Sequence, residues 1–213
     1  MTFSSFYEMF DPLTTVRKQH FWTWFSGDDI RNNWRVNQIV GGDSTFTTSD
    51  SVDGGAVFTN QSASNRVAKI GMGAVRQFSH TGSECIFVAA RTSSTSYKMY
   101  TTIGMHGDDT SQNDNNGGQF RIYDTGSANF YCVNKDSTTQ TSTDSGVAHD
   151  TSYHSFKIAF SASNVIFTLD GTSVATNTTN LPSAKMVAAC RMDNDTDTGN
   201  RTMNLRYFEA YNT

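Results

Sequence analysis

The chain has 213 residues, a length that fits one domain and buries roughly 70% of the surface that its unfolded form exposes. Its 16 basic and 20 acidic residues give a net charge of −4, and the basic residues are scattered. The sequence therefore lacks the basic stripe of a nucleic-acid binder, so we expect no nucleic-acid partner.

Cysteine usage and the absence of long apolar runs predict where the protein folds. The three cysteines, Cys85, Cys132 and Cys190, are odd in number and far apart, so we expect three buried small residues rather than disulfides or a zinc site. The N-terminus shows no signal peptide, and no run approaches the roughly 18 apolar residues of a membrane span. We therefore expect folding in a reducing cytoplasm with no membrane partner.

Residues 1–12 carry the clearest helical pattern. Phe3, Phe6, Tyr7 and Phe10 recur at helical spacing, and Pro12 ends the segment. A helix this short is unstable alone in water. We therefore expect its aromatic face to dock on its own domain or on a neighbouring subunit. We accordingly predict an N-terminal arm over residues 1–20 and one β-sandwich domain over residues 21–213.

The rest of the chain alternates between apolar segments and turn residues, which is typical of strands. We predict strands at 21–25, 34–40, 55–59, 68–72, 84–90, 99–104, 119–123, 129–133, 156–160, 165–169, 173–176, 187–190 and 205–211. Polar loops are expected at 107–118 and 135–146, and Asp170-Gly171 suits a tight hairpin turn. Together these features predict one all-β sandwich of two antiparallel sheets.

The C-terminal third contains a more specific pattern. Tyr153-His-Ser-Phe156-Lys-Ile158 is followed by Val165-Ile-Phe-Thr-Leu-Asp170-Gly-Thr-Ser-Val-Ala-Thr176, and a final strand ends near Tyr207. This order resembles the concanavalin A-like lectin/glucanase superfamily, in the laminin-G-like form found in tailed-phage virion proteins. Tyr153 replaces the usual Trp of that form, and Arg206 stands where an Asp is common. The resemblance implies a jelly-roll sandwich, to which the pattern of residues 1–12 adds a short N-terminal helical or extended arm.

The catalytic patterns of this superfamily are not found in the sequence. Retaining glucanases place E-x-D-x-x-E on one strand, but Glu8, Glu84 and Glu209 are the only glutamates here. Segments 201–206 and 207–212 have some likeness to alginate-lyase strands, but their order is wrong and the partner Gln-x-His is missing. The expectation from the sequence is therefore that the chain is not an enzyme and has no catalytic residues.

Two candidate binding sites follow from residue type alone. Trp22, Trp24 and Trp34 can supply an aromatic platform for a glycan, although packing in the core is the alternative. Asp193, Asp195 and Asp197 alternate, as carboxylates that converge on Ca²⁺ do, with a solvated connection as the alternative. No cofactor is otherwise expected.

These features predict a non-enzymatic structural protein of a tailed-virus virion, assembled in the host cytoplasm. It would be a capsid decoration protein, a head fibre or a tail-associated module. Its expected partners are other virion proteins such as the major capsid protein, and further copies of itself as a homo-oligomer. Phe3, Phe6, Tyr7 and Phe10 would form the contact. The alternative is a carbohydrate-binding, lectin-like module that recognises surface glycans, and a polysaccharide lyase or glycosidase is the remaining possibility.

Overall fold

The computed structural model describes residues 20–24, 45–48, 56–60, 66–71, 78–91, 99–107, 116–123, 128–194 and 201–213. These residues form strands, turns and bends with no α-helix, and two antiparallel sheets face each other as a sandwich. The predicted all-β jelly-roll fold is thus confirmed. Within the same ranges no helix is long and apolar enough to cross a membrane. The predicted helix over residues 1–12 lies outside the described residues.

Fourteen strands are described in those ranges. They are β1 (His20–Trp24), β2 (Thr45–Thr48), β3 (Ala56–Asn60), β4 (Arg66–Gly71), β5 (Gly82–Arg91), β6 (Met99–His106), β7 (Asn116–Tyr123), β8 (Asn129–Asp136), β9 (Thr139–Ala148), β10 (His154–Ser161), β11 (Val165–Leu169), β12 (Thr172–Asn177), β13 (Val187–Asn194) and β14 (Arg201–Asn212). Sheet A has the order β12-β11-β10-β5-β14-β3-β2, and β1 also pairs with β14. Sheet B has the order β4-β13-β6-β7-β8-β9, so β6 and β7 are its central strands.

The core lies between the two sheets and is rich in phenylalanine. Phe120 of sheet B meets Phe156 and Phe167 of sheet A edge-to-face, with ring centroids 5.2 Å and 5.4 Å away. Phe87 and Phe208 stack at 4.6 Å on neighbouring strands of sheet A. Full burial of such a side chain contributes about 1.5–3 kcal/mol, so this cluster is a main source of stability.

All three cysteines are free and buried, as predicted. Burial raises the pKa of the Cys132 thiol to about 12, and it raises the pKa values of Cys85 and Cys190 as well. These side chains therefore act as small apolar groups of the core.

Two strands were not predicted because their sequences are polar. Residues 135–146 were expected to form a loop, but Thr139–Ala148 is the ten-residue edge strand β9. Thr45–Thr48 is the short strand β2, which pairs with β3. Both segments gain backbone hydrogen bonds from a neighbouring strand, and this tertiary pairing overrides their lack of apolar residues.

Two buried asparagines join β12, an edge strand of sheet A, to β8 and to the edge strand β9 of sheet B. The Asn177 amide nitrogen of β12 donates to the Asn134 side-chain oxygen of β8 over 2.6 Å, and Asn177 accepts from Thr143 Oγ1 of β9 over 2.8 Å. The Asn134 amide donates to the carbonyl oxygens of Thr179 and Asn180, each over 2.7 Å. This network closes one side of the sandwich with polar groups that satisfy one another.

Tyr153 and Arg206, the two residues that differ from the pattern the sequence resembles, contact each other. The Arg206 guanidinium carbon lies 3.6 Å from the centre of the Tyr153 ring, which is cation–π geometry. The two side chains therefore form one compatible pair in this chain. The Asp170-Gly171 turn is also confirmed, since both residues have positive φ angles of 49° and 80°.

Candidate functional site

Strand β7, in the centre of sheet B, presents polar side chains to the outer face of the sandwich. Phe120 and Ile122 face the core, so the alternate residues Gln119 and Arg121 face outward. Gln119 lies in register with Gly104 of β6 and with Val133 of β8. The sequence Gln-Phe-Arg-Ile thus separates a core side from a polar outer side.

A row of polar residues crosses four adjacent strands on this outer face. Arg191 of β13 is opposite Thr102 of β6, Thr102 is opposite Arg121 of β7, and Arg121 is opposite Tyr131 of β8. Opposite residues of antiparallel strands share a face. With strands about 4.8 Å apart, these four residues, called here the polar row, span roughly 14 Å.

Two polar atoms of this face are buried without a partner. Thr102 is 8% exposed and Gln119 is 6% exposed, and neither Thr102 Oγ1 nor Gln119 Oε1 has a hydrogen-bond partner. Such an atom costs about 1–3 kcal/mol. Val133 and Ala189 on the same face are buried apolar residues, so the face also accommodates apolar side chains. Thr102 Oγ1 and Gln119 Oε1 are therefore unsatisfied polar atoms among the described residues of this face.

The charge of this face is set by its central strands. Neither β6 nor β7 contains an Asp or a Glu. Arg121 and Lys135 are half-buried, and the exposed carboxylate of Asp144 lies opposite Tyr131 on the edge strand β9. Strands β6 and β7 thus bring guanidinium, amide and hydroxyl groups to the outer face of sheet B and add no carboxylate of their own.

A second cluster surrounds His154 at the start of β10. Its Nδ1 lies 2.7 Å from Asp170 Oδ2, and its Nε2 lies 3.0 Å from Asp150 Oδ1. Burial lowers the pKa of His154, but the hydrogen bonds and charges of Asp170 and Asp150 outweigh burial and raise it overall. The adjoining pocket, lined also by Arg91 and Ser152, has a volume of about 10 Å³. A cavity of this size has room for one water molecule and is too small for a sugar, so we interpret the cluster as structural.

A third polar cluster lies on the outer face of sheet A. Glu84 Oε2 accepts hydrogen bonds from Lys157 Nζ at 2.7 Å and from Tyr211 at 2.6 Å, and Tyr207 donates to Glu209 at 2.7 Å. Burial raises the pKa of Glu84, but the bonds from Lys157 and Tyr211 outweigh it and lower the pKa overall. These carboxylates are already engaged by neighbours, so they do not form a free acid and base pair.

The residues predicted for a glycan platform and for the N-terminal contact are only partly described. Trp22 and Trp24 belong to β1, in register with Glu209 and Tyr207 of β14. Trp34 lies outside the described residues, as do all four aromatic residues of the contact, Phe3, Phe6, Tyr7 and Phe10. The platform, the contact and the homo-oligomer stay predictions.

The predicted calcium loop begins inside a strand. Asp193 is the seventh residue of β13 and pairs with Val67 and Tyr100, whereas Asp195 and Asp197 lie outside the described residues. Among the described residues, no group of three His, Cys, Asp or Glu side chains could hold a metal ion. The calcium site therefore stays a prediction.

The polar row was missed at the level of sequence. The alternation of Gln119 and Arg121 with Phe120 and Ile122 could have indicated an outward polar pair. No local signal links that pair to Thr102 or Arg191, because strands far apart in sequence bring these residues together.

Comparisons with known proteins place the fold. No family model and no curated protein matches the chain. The catalytic domain of an endo-1,3-β-glucanase (laminarinase) from Thermotoga petrophila RKU-1 has a TM-score of 0.65 at 10% identity, over 90% of this chain and 96% of that chain. The Bacillus licheniformis β-glucanase has a TM-score of 0.64 at 11% identity, over 91% and 98%. The apo Crh5 transglycosylase has a TM-score of 0.66 at 15% identity, over 91% and 84%. At these identities the likeness establishes the fold, a concanavalin A-like jelly-roll sandwich.

These comparisons correct the function predicted from the sequence. A non-enzymatic virion structural protein was expected, but the similar structures are glucanases and a transglycosylase. The expectation that the chain is not an enzyme is contradicted by the same finding. The motif that suggested a virion protein lies on β10 to β12 and β14, and those strands build the sandwich itself. The motif therefore indicated the fold of the chain, and it did not indicate a virion protein.

Proposed function

We propose that this chain is a carbohydrate-active enzyme that binds a polysaccharide along the outer face of sheet B and cleaves a glycosidic bond there. The observation that carries the proposal is the buried amide of Gln119, whose Oε1 has no hydrogen-bond partner at the centre of that face. A sugar hydroxyl is a suitable donor to this oxygen, since sugars present many hydroxyl groups to a binding face. The likeness to glucanases and a transglycosylase supports the same class of function.

The side chains of the polar row suggest how the reaction would proceed. Strands β6 and β7 supply no carboxylate, so the two-carboxylate arrangement of retaining glucanases has no counterpart on them. Tyr131 lies opposite Arg121 in register and carries a hydroxyl that can transfer a proton. In this proposal Gln119 and Arg121 orient the sugar, and Tyr131 donates a proton to the leaving glycosidic oxygen. A water molecule attacks the anomeric carbon, and the proton that this water releases returns to Tyr131.

The test is a screen for cleavage of neutral and acidic polysaccharides, read as new reducing ends and as shorter products by mass spectrometry. The wild-type protein should cleave at least one polymer. Tyr131→Phe should lower kcat by about 100-fold or more with a small effect on KM, because a positioned acid or base typically contributes that much.

The matched control is Tyr207→Phe. It removes the same hydroxyl from the outer face of sheet A, where Tyr207 donates to Glu209. This variant should retain activity. If the wild-type protein cleaves none of the polymers, or if Tyr131→Phe retains full kcat, the proposal is wrong.

A further inference from the structure

The edge strand β9 places a carboxylate beside the tyrosine of the polar row. Asp144 is directly opposite Tyr131 in the register of β8 and β9. Opposite residues of antiparallel strands share a face, and their Cβ atoms lie about 4.5–5.5 Å apart. Because Tyr131 belongs to the outer face of sheet B, Asp144 belongs to that face as well.

The described residues hold Asp144 by one of its two carboxylate oxygens. Oδ1 accepts hydrogen bonds from the Asn129 amide nitrogen at 2.9 Å and from the Gly146 backbone nitrogen at 2.8 Å. Gly146 has a φ angle of 70°, a left-handed conformation that glycine adopts without strain. Among the described residues, no hydrogen bond or ion pair involves Oδ2. The carboxylate is therefore oriented through Oδ1, and Oδ2 is available to a water molecule.

The surroundings of Asp144 suit a base. Its side chain is exposed, so water reaches it, and its negative charge adds to burial in raising the pKa of the Cys132 thiol to about 12. Lys135, a basic residue on the same face of β8, is opposite Gln140 and not opposite Asp144. Arg121 of β7 is separated from Asp144 by strand β8. No cation is therefore opposite this carboxylate in register on β8.

Cleavage through Tyr131 needs a group that removes a proton from the attacking water. A neutral phenol that is donating its own proton is a weak base at that moment. In inverting glycosidases a second group takes this proton, and the acid and the base are about 6.5–9.5 Å apart with the water between them. A tyrosine side chain is longer than an aspartate side chain, so the Tyr131 hydroxyl and the Asp144 carboxylate can be further apart than their Cβ atoms. This difference in length leaves room for a water molecule.

We infer that Asp144 is the catalytic base of this site and the group that returns a proton to Tyr131. This inference rests on the proposed function and adds a second catalytic residue to it. As the Tyr131 phenol protonates the leaving glycosidic oxygen, the water oxygen bonds to the anomeric carbon and Asp144 Oδ2 takes the proton that the water releases. The carboxylic acid then gives this proton to the Tyr131 phenolate, because a carboxylic acid is a stronger acid than a phenol. Both side chains end in their starting states, and one water is consumed for each bond cleaved.

The experiment measures Asp144→Asn on the polymer that the wild-type protein cleaves. The asparagine side-chain oxygen can still accept the bonds from Asn129 and Gly146, so Tm should match that of the wild type. We expect kcat to fall by about 100-fold or more with a small change in KM. Azide attacks without releasing a proton, so added azide should raise the kcat of the variant by about tenfold or more and give a glycosyl azide, detected by mass spectrometry.

The pH profile gives a second readout that a structural role of Asp144 would not change. Wild-type kcat should fall at acid pH, where a carboxylate base is protonated, and Asp144→Asn should lack this acid limb. The wild-type profile tests the inference without any variant. The matched control is Asp136→Asn, which changes a carboxylate of β8 that accepts from Ser183 Oγ at 2.6 Å. This control should retain wild-type kcat and the acid limb.

The outcomes separate this inference from the proposed function. If Tyr131→Phe loses activity while Asp144→Asn keeps full kcat, Asp144 is not the base and the proposed function stands. The same conclusion follows if the wild-type profile has no acid limb, or if azide neither raises the kcat of Asp144→Asn nor yields a glycosyl azide. If the wild-type protein cleaves no polymer, both proposals fail.

Discussion

The asparagine network that joins β12 to β8 and β9 allows one prediction to be worked out in detail. Asn134 is fully buried, and its side chain makes hydrogen bonds to Asn177, Thr179 and Asn180. At about 1 kcal/mol for each net bond, Asn134→Ala should cost about 3 kcal/mol of unfolding free energy. For a domain of this size, that corresponds to a fall in Tm of about 6–12 °C.

A double-mutant cycle isolates the central bond of this network. Asn177→Ala also removes three bonds, but one of them is the 2.6 Å bond that Asn134→Ala already removes. The loss of unfolding free energy in the double variant should therefore be about 1–2 kcal/mol smaller than the sum of the two single losses. The reason is that neither asparagine amide is left in the core without its partner.

The assay is urea unfolding followed by tryptophan fluorescence, with free energies taken from midpoints at a constant m value. Thr176→Ala is the matched control, since Thr176 is an exposed residue of β12 next to Asn177. It should change stability by less than about 0.5 kcal/mol. A loss below about 1 kcal/mol in Asn134→Ala, or strict additivity in the cycle, would refute the reasoning.

Three further predictions follow from the described contacts. His154→Gln should cost most stability below the ordinary histidine pKa and least well above it. Because the pKa of His154 is raised in the folded protein, its contribution to the free energy of unfolding is lost as the pH rises through that folded-state pKa. Its partners Asp150 and Asp170 are half-exposed, which keeps this contribution under about 1 kcal/mol. Equal losses in urea melts below the ordinary histidine pKa and well above it would contradict this prediction. Gly104→Ala should lower the free energy of unfolding by about 1–3 kcal/mol in the same melts, because the alanine Cβ would collide with the Gly118 carbonyl oxygen on β7. The control is Ser142→Ala, at an exposed position on β9. An unchanged midpoint in Gly104→Ala would argue against the close approach of the β6 and β7 backbones. The three buried cysteines should react with maleimide only after unfolding, since burial raises their pKa values, and rapid labelling of the native protein would be incompatible with the fold.

Much of the sandwich could be predicted because apolar alternation marks buried strands. Phe156, Ile158 and Phe160 alternate along β10, and all three are core residues. The predicted strand at 165–169 has the observed ends of β11. In both strands the core face is apolar, so the pattern of the sequence and the packing of the sandwich agree.

Polar strands could not be predicted in the same way. On β9 the inward residues include Thr141 and Thr143, which hydrogen-bond to Thr179 and to Asn177. Those partners are 38 and 34 residues away along the chain, so no local pattern indicates that a Thr/Ser-rich segment has an inner side. The inner side exists only when the two sheet edges meet.

The candidate site was inaccessible to sequence reasoning for a related reason. Arg191 lies next to Thr102 only because β13 pairs with β6, and 88 residues of chain separate Thr102 from Arg191. The carboxylate motif that sequence reasoning sought is missing, which favoured a non-enzymatic interpretation. The polar row instead consists of residue types that carry no motif and become recognisable only as neighbours on one face.

The most direct test of the central claim is a crystal structure with an oligosaccharide of the polymer that the protein binds. The account predicts the sugar on the outer face of sheet B, with a hydroxyl within hydrogen-bond distance of Gln119 Oε1 and a ring beside Tyr131. A sugar bound on the outer face of sheet A, near Glu84 and Tyr211, would contradict it. That result would assign the function to the opposite side of the sandwich.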